Sequence, residues 1–240
     1  MDPDQAYFED QLHRSVPEFW RRMGYRPDCA GRRVLDLGCG HGAMSLELAA
    51  AGADVLGIDL NDELIGWARV HVQLRPVAGR LRFLRQDVRT LAEGEFDLVV
   101  SKDSFEHIQE LGSVLAALRG RLAPGGRIWA GFSPLFYSPR GDHGEMGLKV
   151  PWAHVPSRRF VLAAAARRRG ASVGSLGELG LNGIAPGDFR RLVSEAGLRF
   201  EFLRYNPGDK RLLALLRGAR RIPALERYAT VGIYSVLAPV

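Results

Sequence analysis

The sequence predicts an α/β protein whose centre is a mostly parallel sheet of seven strands with helices on both faces. Short apolar runs alternate with segments of about a dozen residues at helical spacing, an alternation that produces crossover units and a parallel sheet. The length of 240 residues suits one domain. The composition, 46% hydrophobic and 25% charged, is ordinary for a globular protein and argues against disorder, collagen or a coiled coil.

The elements can be placed in order. Apolar residues at helical spacing predict a leading helix over residues 4–24, which forms an N-terminal helical cover. Apolar runs between turn residues predict strands over residues 32–37, 53–59, 81–85, 96–101 and 127–132, with two more over residues 199–205 and 230–237. Helical spacing predicts helices over residues 43–51, 63–74, 111–122 and 185–196.

A long segment interrupts this alternation after the fifth strand. Residues 133–157 are rich in Pro, Gly and aromatic residues, and so long a connection in a small domain is usually functional. A further helix follows, because Ser157 can cap its start and Gly170 its end, with three arginines placed against the negative end of its dipole.

The composition also indicates in which compartment the protein is expected. No uncharged apolar run reaches the roughly 18–20 residues that a bilayer span needs. The first fifteen residues are acidic and lack an apolar core, so no signal peptide is expected. Cys29 and Cys39 are too few for a disulfide scaffold or a four-ligand zinc site. We expect a cytoplasmic protein with no membrane partner.

The net charge of +6 is unevenly distributed, since residues 151–240 carry most of the arginine excess. A basic C-terminal third could attract nucleic acid or an anionic substrate. The cations are not interleaved with aromatic residues as in phosphate-binding stripes, so a source-wide arginine preference is the simpler explanation.

The most informative stretch is VLDLGCGHG at residues 34–42, at the end of the first strand. Its glycines let the chain turn sharply and let a ligand approach closely. A Walker phosphate loop would end in Gly-Lys-Ser/Thr, which is absent. A dinucleotide loop has G-x-G-x-x-G spacing, whereas this loop has G-x-G-x-G after an acidic residue.

This arrangement resembles the class I S-adenosylmethionine-dependent methyltransferases, whose signature is an acidic residue followed by G-x-G-x-G. Three further segments match that family in the correct order: Asp59 at the end of the second strand, Gln86-Asp87-Val88 after the third, and residues 96–103 at the fourth. The turn Pro124-Gly125-Gly126 before the fifth strand also matches. A looser resemblance, carried by residues 101–107 and the Pro-rich segment, extends to a bacterial small-molecule-type subgroup.

The resemblance implies a Rossmann-like fold with S-adenosyl-L-methionine as cofactor. It divides the single domain into a helical cover (1–30), a cofactor-binding core (31–132), a lid or substrate insertion after strand 5 (133–185) and a C-terminal part of the sheet (186–240). It implies Asp59 on the ribose hydroxyls and Asp87 on the adenine amino group. The expected cofactor contacts are Asp36, Gly38, Cys39, Gly40, Gly42, Asp59, Leu60, Asp87, Val88, Ser101 and Lys102.

Methyl transfer requires a positioned nucleophile and, where that nucleophile carries a proton, a base. Imidazole titrates near neutral pH, so His143, His154 and His107 are the candidate bases, each of which could instead brace local structure. No histidine pair has a recognised metal spacing, and no metal is predicted. A metal-assisted variant would use Asp142, His143 and His154.

The substrate is predicted to be a small molecule methylated on oxygen or nitrogen, held by Asp103 and the insertion residues Tyr137, Arg140 and Trp152. It is equally consistent with the sequence that those insertion residues only pack onto the body. Nucleic acid is disfavoured as a substrate because the segment after the fourth strand lacks Asn/Asp-Pro-Pro-aromatic and neither cysteine suits a carbon-5 nucleophile. Two further classes stay open, a non-methylating cofactor-binding protein on the same fold and a nicotinamide dehydrogenase. No sequence feature indicates an oligomeric state.

Overall fold

A computed structural model describes residues 2–147, 150–208 and 210–240, and a single seven-stranded sheet runs through its centre. The strands are β1 (Arg33–Leu37), β2 (Asp54–Asp59), β3 (Arg80–Arg85), β4 (Phe96–Lys102), β5 (Leu122–Phe132), β6 (Leu198–Tyr205) and β7 (Ile233–Pro239). Their order across the sheet is β3-β2-β1-β4-β5-β7-β6. All pairs are parallel except those that β7 makes with β5 and β6, so the predicted fold class is confirmed.

The helices agree with the spacing of apolar residues. They are α1 (Pro3–Asp10), α2 (Val16–Met23), α3 (Ala43–Ala50), α4 (Asp62–His71), α5 (Leu111–Arg119), α6 (Arg158–Arg169), α7 (Pro186–Glu195), α8 (Arg211–Ala219) and α9 (Glu226–Ala229). Both caps predicted for α6 are present, because the Ser157 side chain accepts from the Phe160 amide and Gly170 adopts a left-handed conformation.

Two apolar layers cover the two faces of the sheet. On one face, α1 to α4 bury side chains such as Phe8, Phe19 and Met23 against the strands. On the other face, α5 and α7 contribute side chains such as Leu115 and Phe189. The central strands β1, β2 and β4 are buried along most of their length, as expected for parallel strands between two helical layers.

The leading helix contains a feature that the spacing of its apolar residues does not predict. A π-helical turn over Gln11–Ser15 separates α1 from α2, and the Val16 amide donates to the Gln11 carbonyl five residues back. Pro17 has no N–H, so the chain cannot supply the α-helical donor to the His13 carbonyl, and the wider turn lies directly before this proline.

The fifth strand begins earlier than expected. β5 starts at Leu122 rather than at residue 127, and α5 correspondingly ends at Arg119. The register with β4 shifts between Phe96 and Leu98, so the Pro-Gly-Gly turn forms an irregular start to the strand. A Cβ on Gly126 would lie 2.7 Å from the Phe96 carbonyl oxygen, so a glycine lets these two backbones approach.

The insertion after β5 has a small apolar cluster of its own. Phe136, Met146, Val161, Leu179 and Leu181 are buried together there. Within the described part of the chain, none of the helices has both the length and the apolar character that crossing a membrane requires.

Candidate active site

A cavity of about 760 Å³ opens at the carboxyl ends of β1, β2 and β4. Open α/β sheets bind ligands at this edge, outside the strand ends. Eleven contacts were expected here, and nine of them line the cavity: Asp36, Gly38, Cys39, Gly40, Asp59, Leu60, Asp87, Val88 and Lys102. Asp103 and His107 line it as well.

The glycine loop after β1 turns because three of its residues have positive φ: Gly38 at 72°, Gly40 at 51° and Gly42 at 84°. A Cβ on Gly38 would lie 2.2 Å from Ser104 Oγ, and one on Gly42 would lie 2.4 Å from the Phe83 ring. A Cβ on Gly40 would meet nothing within 4 Å. Gly38 and Gly42 are therefore required for packing, whereas Gly40 keeps the cavity wall free of a side chain.

Three successive amides of this loop donate hydrogen bonds to the end of β2. The Gly38 and Cys39 amides donate to the Ile58 carbonyl at 2.9 and 3.1 Å. The Gly40 amide donates to Asp59 Oδ2 at 3.0 Å, and the Asn61 amide donates to Oδ1 at 2.9 Å. The Asp59 carboxylate thus fixes the bend, and each of its oxygens retains capacity for a second hydrogen bond.

Asp36 lies under the loop and is almost completely buried. Its Oδ2 accepts a hydrogen bond of 2.5 Å from Ser45 Oγ. Burial raises the pKa of Asp36 to about 6, although the Ser45 hydrogen bond and the Lys102 charge act in the opposite direction. A cationic ligand beside this carboxyl would favour its ionised form and offset the effect of burial.

Asp87 lies at the far end of the cavity, beyond β3. Its carboxylate accepts hydrogen bonds from the Arg89 guanidinium at 2.6 to 3.1 Å, and this partner lowers its pKa. Arg89 also reaches Glu110 at 2.5 Å. Val88 is buried next to Asp87 and offers an apolar surface.

The N-terminal segment forms one wall of the cavity, through side chains that no sequence motif indicated as site residues: Tyr7, Gln11 and Val16. The Lys102 ammonium donates to Gln11 Oε1 and to Asp103 Oδ2, both at 2.8 Å. Asp103 follows β4 with a φ of 50°, which a non-glycine residue rarely adopts.

His41 joins the glycine loop to this N-terminal wall. Its ring lies 5.2 Å from the Tyr7 ring and 5.0 Å from the Trp67 ring, measured between centroids. Its Nε2 lies 3.3 Å from Asp4 Oδ1. These contacts hold α1 over the loop.

Of the three candidate bases, only His107 lines the cavity. Its Nδ1 lies 2.5 Å from the Gly180 carbonyl oxygen and can only donate to it, so Nε2 carries the lone pair in the neutral ring. The His143 ring lies 5.2 Å from the His107 ring, and its Nε2–H donates to the Pro134 carbonyl at 2.8 Å. Burial lowers the pKa of His143.

His154 lies elsewhere. It is buried in the insertion, with Nε2 2.5 Å from the Phe136 carbonyl oxygen. A histidine enclosed in this way braces the chain around it. Among the described residues, no group of three or more potential ligands is arranged to hold a metal ion, so Asp142, His143 and His154 do not form such a group.

Five other expected site residues do not line the cavity. Gly42 faces Phe83, and Ser101 Oγ donates to the Leu37 carbonyl to tie β4 to β1. In the insertion, the Tyr137 hydroxyl accepts from Arg158, and Trp152 Nε1 donates to the Tyr228 carbonyl. Arg140 is exposed. Tyr137 and Trp152 therefore pack the insertion rather than line the cofactor cavity.

Comparison with known proteins adds a sequence match over the core of the sheet. Residues 35–130 match a family described as "Methyltransferase domain". A relative named "Ubiquinone biosynthesis O-methyltransferase" from Methylococcus capsulatus is 38% identical over 129 residues, which cover 53% of this chain and 54% of the relative. The chain thus spans about half the length of the curated relatives it matches.

Solved structures match over nearly the whole chain. A putative S-adenosylmethionine-dependent methyltransferase from Listeria monocytogenes superposes with a TM-score of 0.62 at 18% identity, covering 94% of this chain and 99% of that one. A magnesium protoporphyrin IX methyltransferase from Synechocystis PCC 6803, solved with bound SAH, gives 0.51 at 18% identity, covering 97% and 99%. At such identities the likeness concerns the fold.

The loop geometry leads to a paired prediction on stability. Gly42→Ala should lower the free energy of unfolding by about 2–4 kcal/mol, because the new Cβ overlaps the Phe83 ring and φ is positive. Gly40→Ala should cost only about 1 kcal/mol, because only its backbone is strained. Urea unfolding of both variants measures this, and an equal or larger loss in Gly40→Ala would contradict it.

Proposed function

We propose that this chain is a class I S-adenosylmethionine-dependent methyltransferase with S-adenosyl-L-methionine as its cofactor, and that it transfers a methyl group to an oxygen atom of a small molecule. The match of residues 35–130 to a methyltransferase domain supports this proposal. The observation that carries the proposal is the convergence of Asp36, the glycine loop, Asp59 and Asp87 on one cavity. The curated relatives are named for O-methylation, which supports oxygen over nitrogen as the acceptor atom.

The donor set suits this cofactor better than a phosphate-bearing one. The cavity lining has more carboxylates than cations, with Asp36, Asp59, Asp87, Asp103 and Glu110 against Lys102 and Arg89, and this excess would repel a pyrophosphate.

The assignments follow the order of these residues along the cavity. We assign Asp36 to the ammonium group of the cofactor's amino-acid end, Asp59 to the ribose hydroxyls, and Asp87 with Val88 to the adenine. Gly40, with no side chain, leaves room for the nucleoside against the loop.

When bound, S-adenosylmethionine would supply a methyl group on a positively charged sulfur, so that a bond from the acceptor oxygen to the methyl carbon forms as the carbon–sulfur bond breaks and the sulfur leaves as a neutral thioether. The chain's part is to orient the acceptor, exclude water and accept the proton of its hydroxyl group. Lys102 and Asp103 stand at the end of β4, beside the cavity, and orient the acceptor. We assign proton removal to His107 Nε2, because the hydrogen bond to Gly180 holds the other nitrogen protonated.

His107 is preferred to the other two candidates on position. His154 is enclosed in the insertion, and His143 does not line the cavity but lies next to His107, where its ring can stabilise the His107 orientation. A small-molecule acceptor and a cytoplasmic location complete the proposal.

The ribose assignment is tested by replacing Asp59. Asp59→Ala should weaken S-adenosylhomocysteine binding by about 1.5–3 kcal/mol, the typical value of hydrogen bonds to a charged group. Titration calorimetry measures the affinity. Glu63→Ala, an exposed carboxylate in the first turn of α4, is the matched control and should bind normally. An unchanged affinity in folded Asp59→Ala would refute the assignment.

The Asp36 assignment predicts a pH dependence. Below about 6 the carboxyl is protonated, so binding of the cofactor's ammonium must first displace a proton. Affinity for S-adenosylhomocysteine should therefore fall by up to about tenfold per pH unit below that value. In the free protein the same raised pKa favours folding increasingly as pH falls from about 6 towards the ordinary 3.8.

Calorimetry between pH 4.5 and 8 measures the affinity, and Asp36→Asn provides the control, since its weaker binding should show no step near pH 6. A wild-type affinity that is flat across this range would show that Asp36 does not pair with the ligand's charge.

The base assignment is tested by turnover with a panel of small phenols, both with and without a carboxylate or phosphate group. His107→Ala should lower kcat by about 10²–10⁴-fold, the usual contribution of a general base, while S-adenosylhomocysteine still binds. His143→Ala should lose less activity than His107→Ala, because it acts only through His107. If His143→Ala loses more than His107→Ala, the two roles are reversed.

A further inference from the structure

A second cavity, of about 650 Å³, lies between the N-terminal segment and the ends of β4 and β7. It shares three lining residues with the cofactor cavity: Gln11, Lys102 and Asp103. The Lys102 ammonium joins the other two by hydrogen bonds, so this triplet stands at the border of the two cavities. The volume falls within the range of small-molecule sites.

The π-helical turn forms much of the wall of this second cavity. Four of its five residues line it: Gln11, His13, Arg14 and Ser15. Such turns are uncommon and recur at functional sites. The turn therefore concentrates polar side chains on the cavity beside the cofactor site.

The second cavity has more positive than negative charge. Five cations and three carboxylates line it: Arg14, Arg21, Arg22, Lys102 and Lys210 against Asp10, Glu18 and Asp103. Arg14 pairs with Asp10 and Lys102 with Asp103, each at 2.8 Å. Glu18 serves both Arg21 and Arg22, at 2.7 and 2.6 Å. The lining therefore favours an anionic ligand.

Lys210 is the cation best placed to meet such a ligand. Its side chain is exposed and makes no hydrogen bond or ion pair with the other residues that the structure describes. It is also the N-cap of α8, which has no side-chain cap, so the positive end of that helix dipole lies at the same point. An anion here would gain a charged hydrogen bond without breaking an existing one.

We propose that the second cavity is the acceptor site and that it takes a small molecule bearing a carboxylate or phosphate group, which Lys210 binds. The proposal rests on the proposed function and names the substrate class of that site. The anionic end lies at Lys210, and the reacting end extends past Asp103 towards the cofactor cavity.

Position favours this cavity over the insertion. The three side chains first expected to hold the substrate, Tyr137, Arg140 and Trp152, line neither cavity. Of the three shared residues, Lys102 and Asp103 instead lie at the end of β4, where an acceptor must meet the cofactor, and Gln11 is hydrogen-bonded to Lys102.

The experiment measures binding to the full chain saturated with S-adenosylhomocysteine, by titration calorimetry at low ionic strength. The probes are matched pairs that differ in charge: benzoate against benzamide, and phenyl phosphate against phenol. We expect at least one of the two anions to bind more tightly than its own neutral partner, by about tenfold or more, which is the effect of one charged hydrogen bond. The stronger of the two anions identifies the group.

Variants that change the charge of the cavity wall in opposite directions make the test specific. Lys210→Ala should remove that preference, and Lys210→Arg should keep it. Glu18→Gln should strengthen anion binding by about threefold, because it removes one negative charge from the cavity wall. Arg211→Ala is the control, since Arg211 is an exposed neighbour that does not line the cavity.

The outcomes separate this proposal from the function on which it rests. If S-adenosylhomocysteine itself does not bind, the proposed function fails. If it binds but no anion is preferred, or if Lys210→Ala and Arg211→Ala behave alike, the acceptor class assigned here is overturned and the methyltransferase assignment stands.

Discussion

The rest of the site depends on the way the end of β2 holds the loop after β1. The Gly38, Cys39 and Gly40 amides all donate to β2, the first two to the Ile58 carbonyl and the third to the Asp59 carboxylate. Because β1 and β2 are adjacent and parallel, both end at the same edge of the sheet. The hydrogen bonds therefore hold the loop after β1 against the end of β2, where it forms a fixed concave wall. Without them the loop would be free to move, since glycine restricts the backbone less than any other residue.

The second constraint is the contact between this wall and the start of the chain. Tyr7 and Asp4 lie against His41, and Gln11 accepts from Lys102, so α1 and the π-helical turn are held at both the loop and the end of β4. Buried Phe8 anchors the same helix next to Trp67. The N-terminal segment is thus a wall that both cavities share.

Much of the site could be predicted because it is local, whereas the missed features depend on distant contacts. The acidic residues at or just after the ends of β1, β2 and β3 follow from patterns within a few residues, but Gln11 and Lys102 are 91 residues apart and no local pattern brings them together. Gly42 and Ser101 belong to the recognised motifs, yet neither lines the cavity. Gly42 packs against Phe83, and Ser101 ties β4 to β1. His154 has the right chemistry for a base, and only the fold reveals that the insertion encloses it. The π-helical turn was missed because the apolar spacing of α1 and α2 continues across it.

The two cavities differ in charge, and this difference explains the role of Lys102 and Asp103 at their border. Carboxylates outnumber cations in the cofactor cavity, whereas cations outnumber carboxylates in the second cavity. A cationic cofactor and an anionic acceptor would each be favoured in one cavity and opposed in the other. Lys102 and Asp103 neutralise each other between them, at 2.8 Å, so neither ligand meets an unpaired charge of its own sign at the border. These opposite charges would direct each ligand to its own cavity before it contacts the reacting atoms.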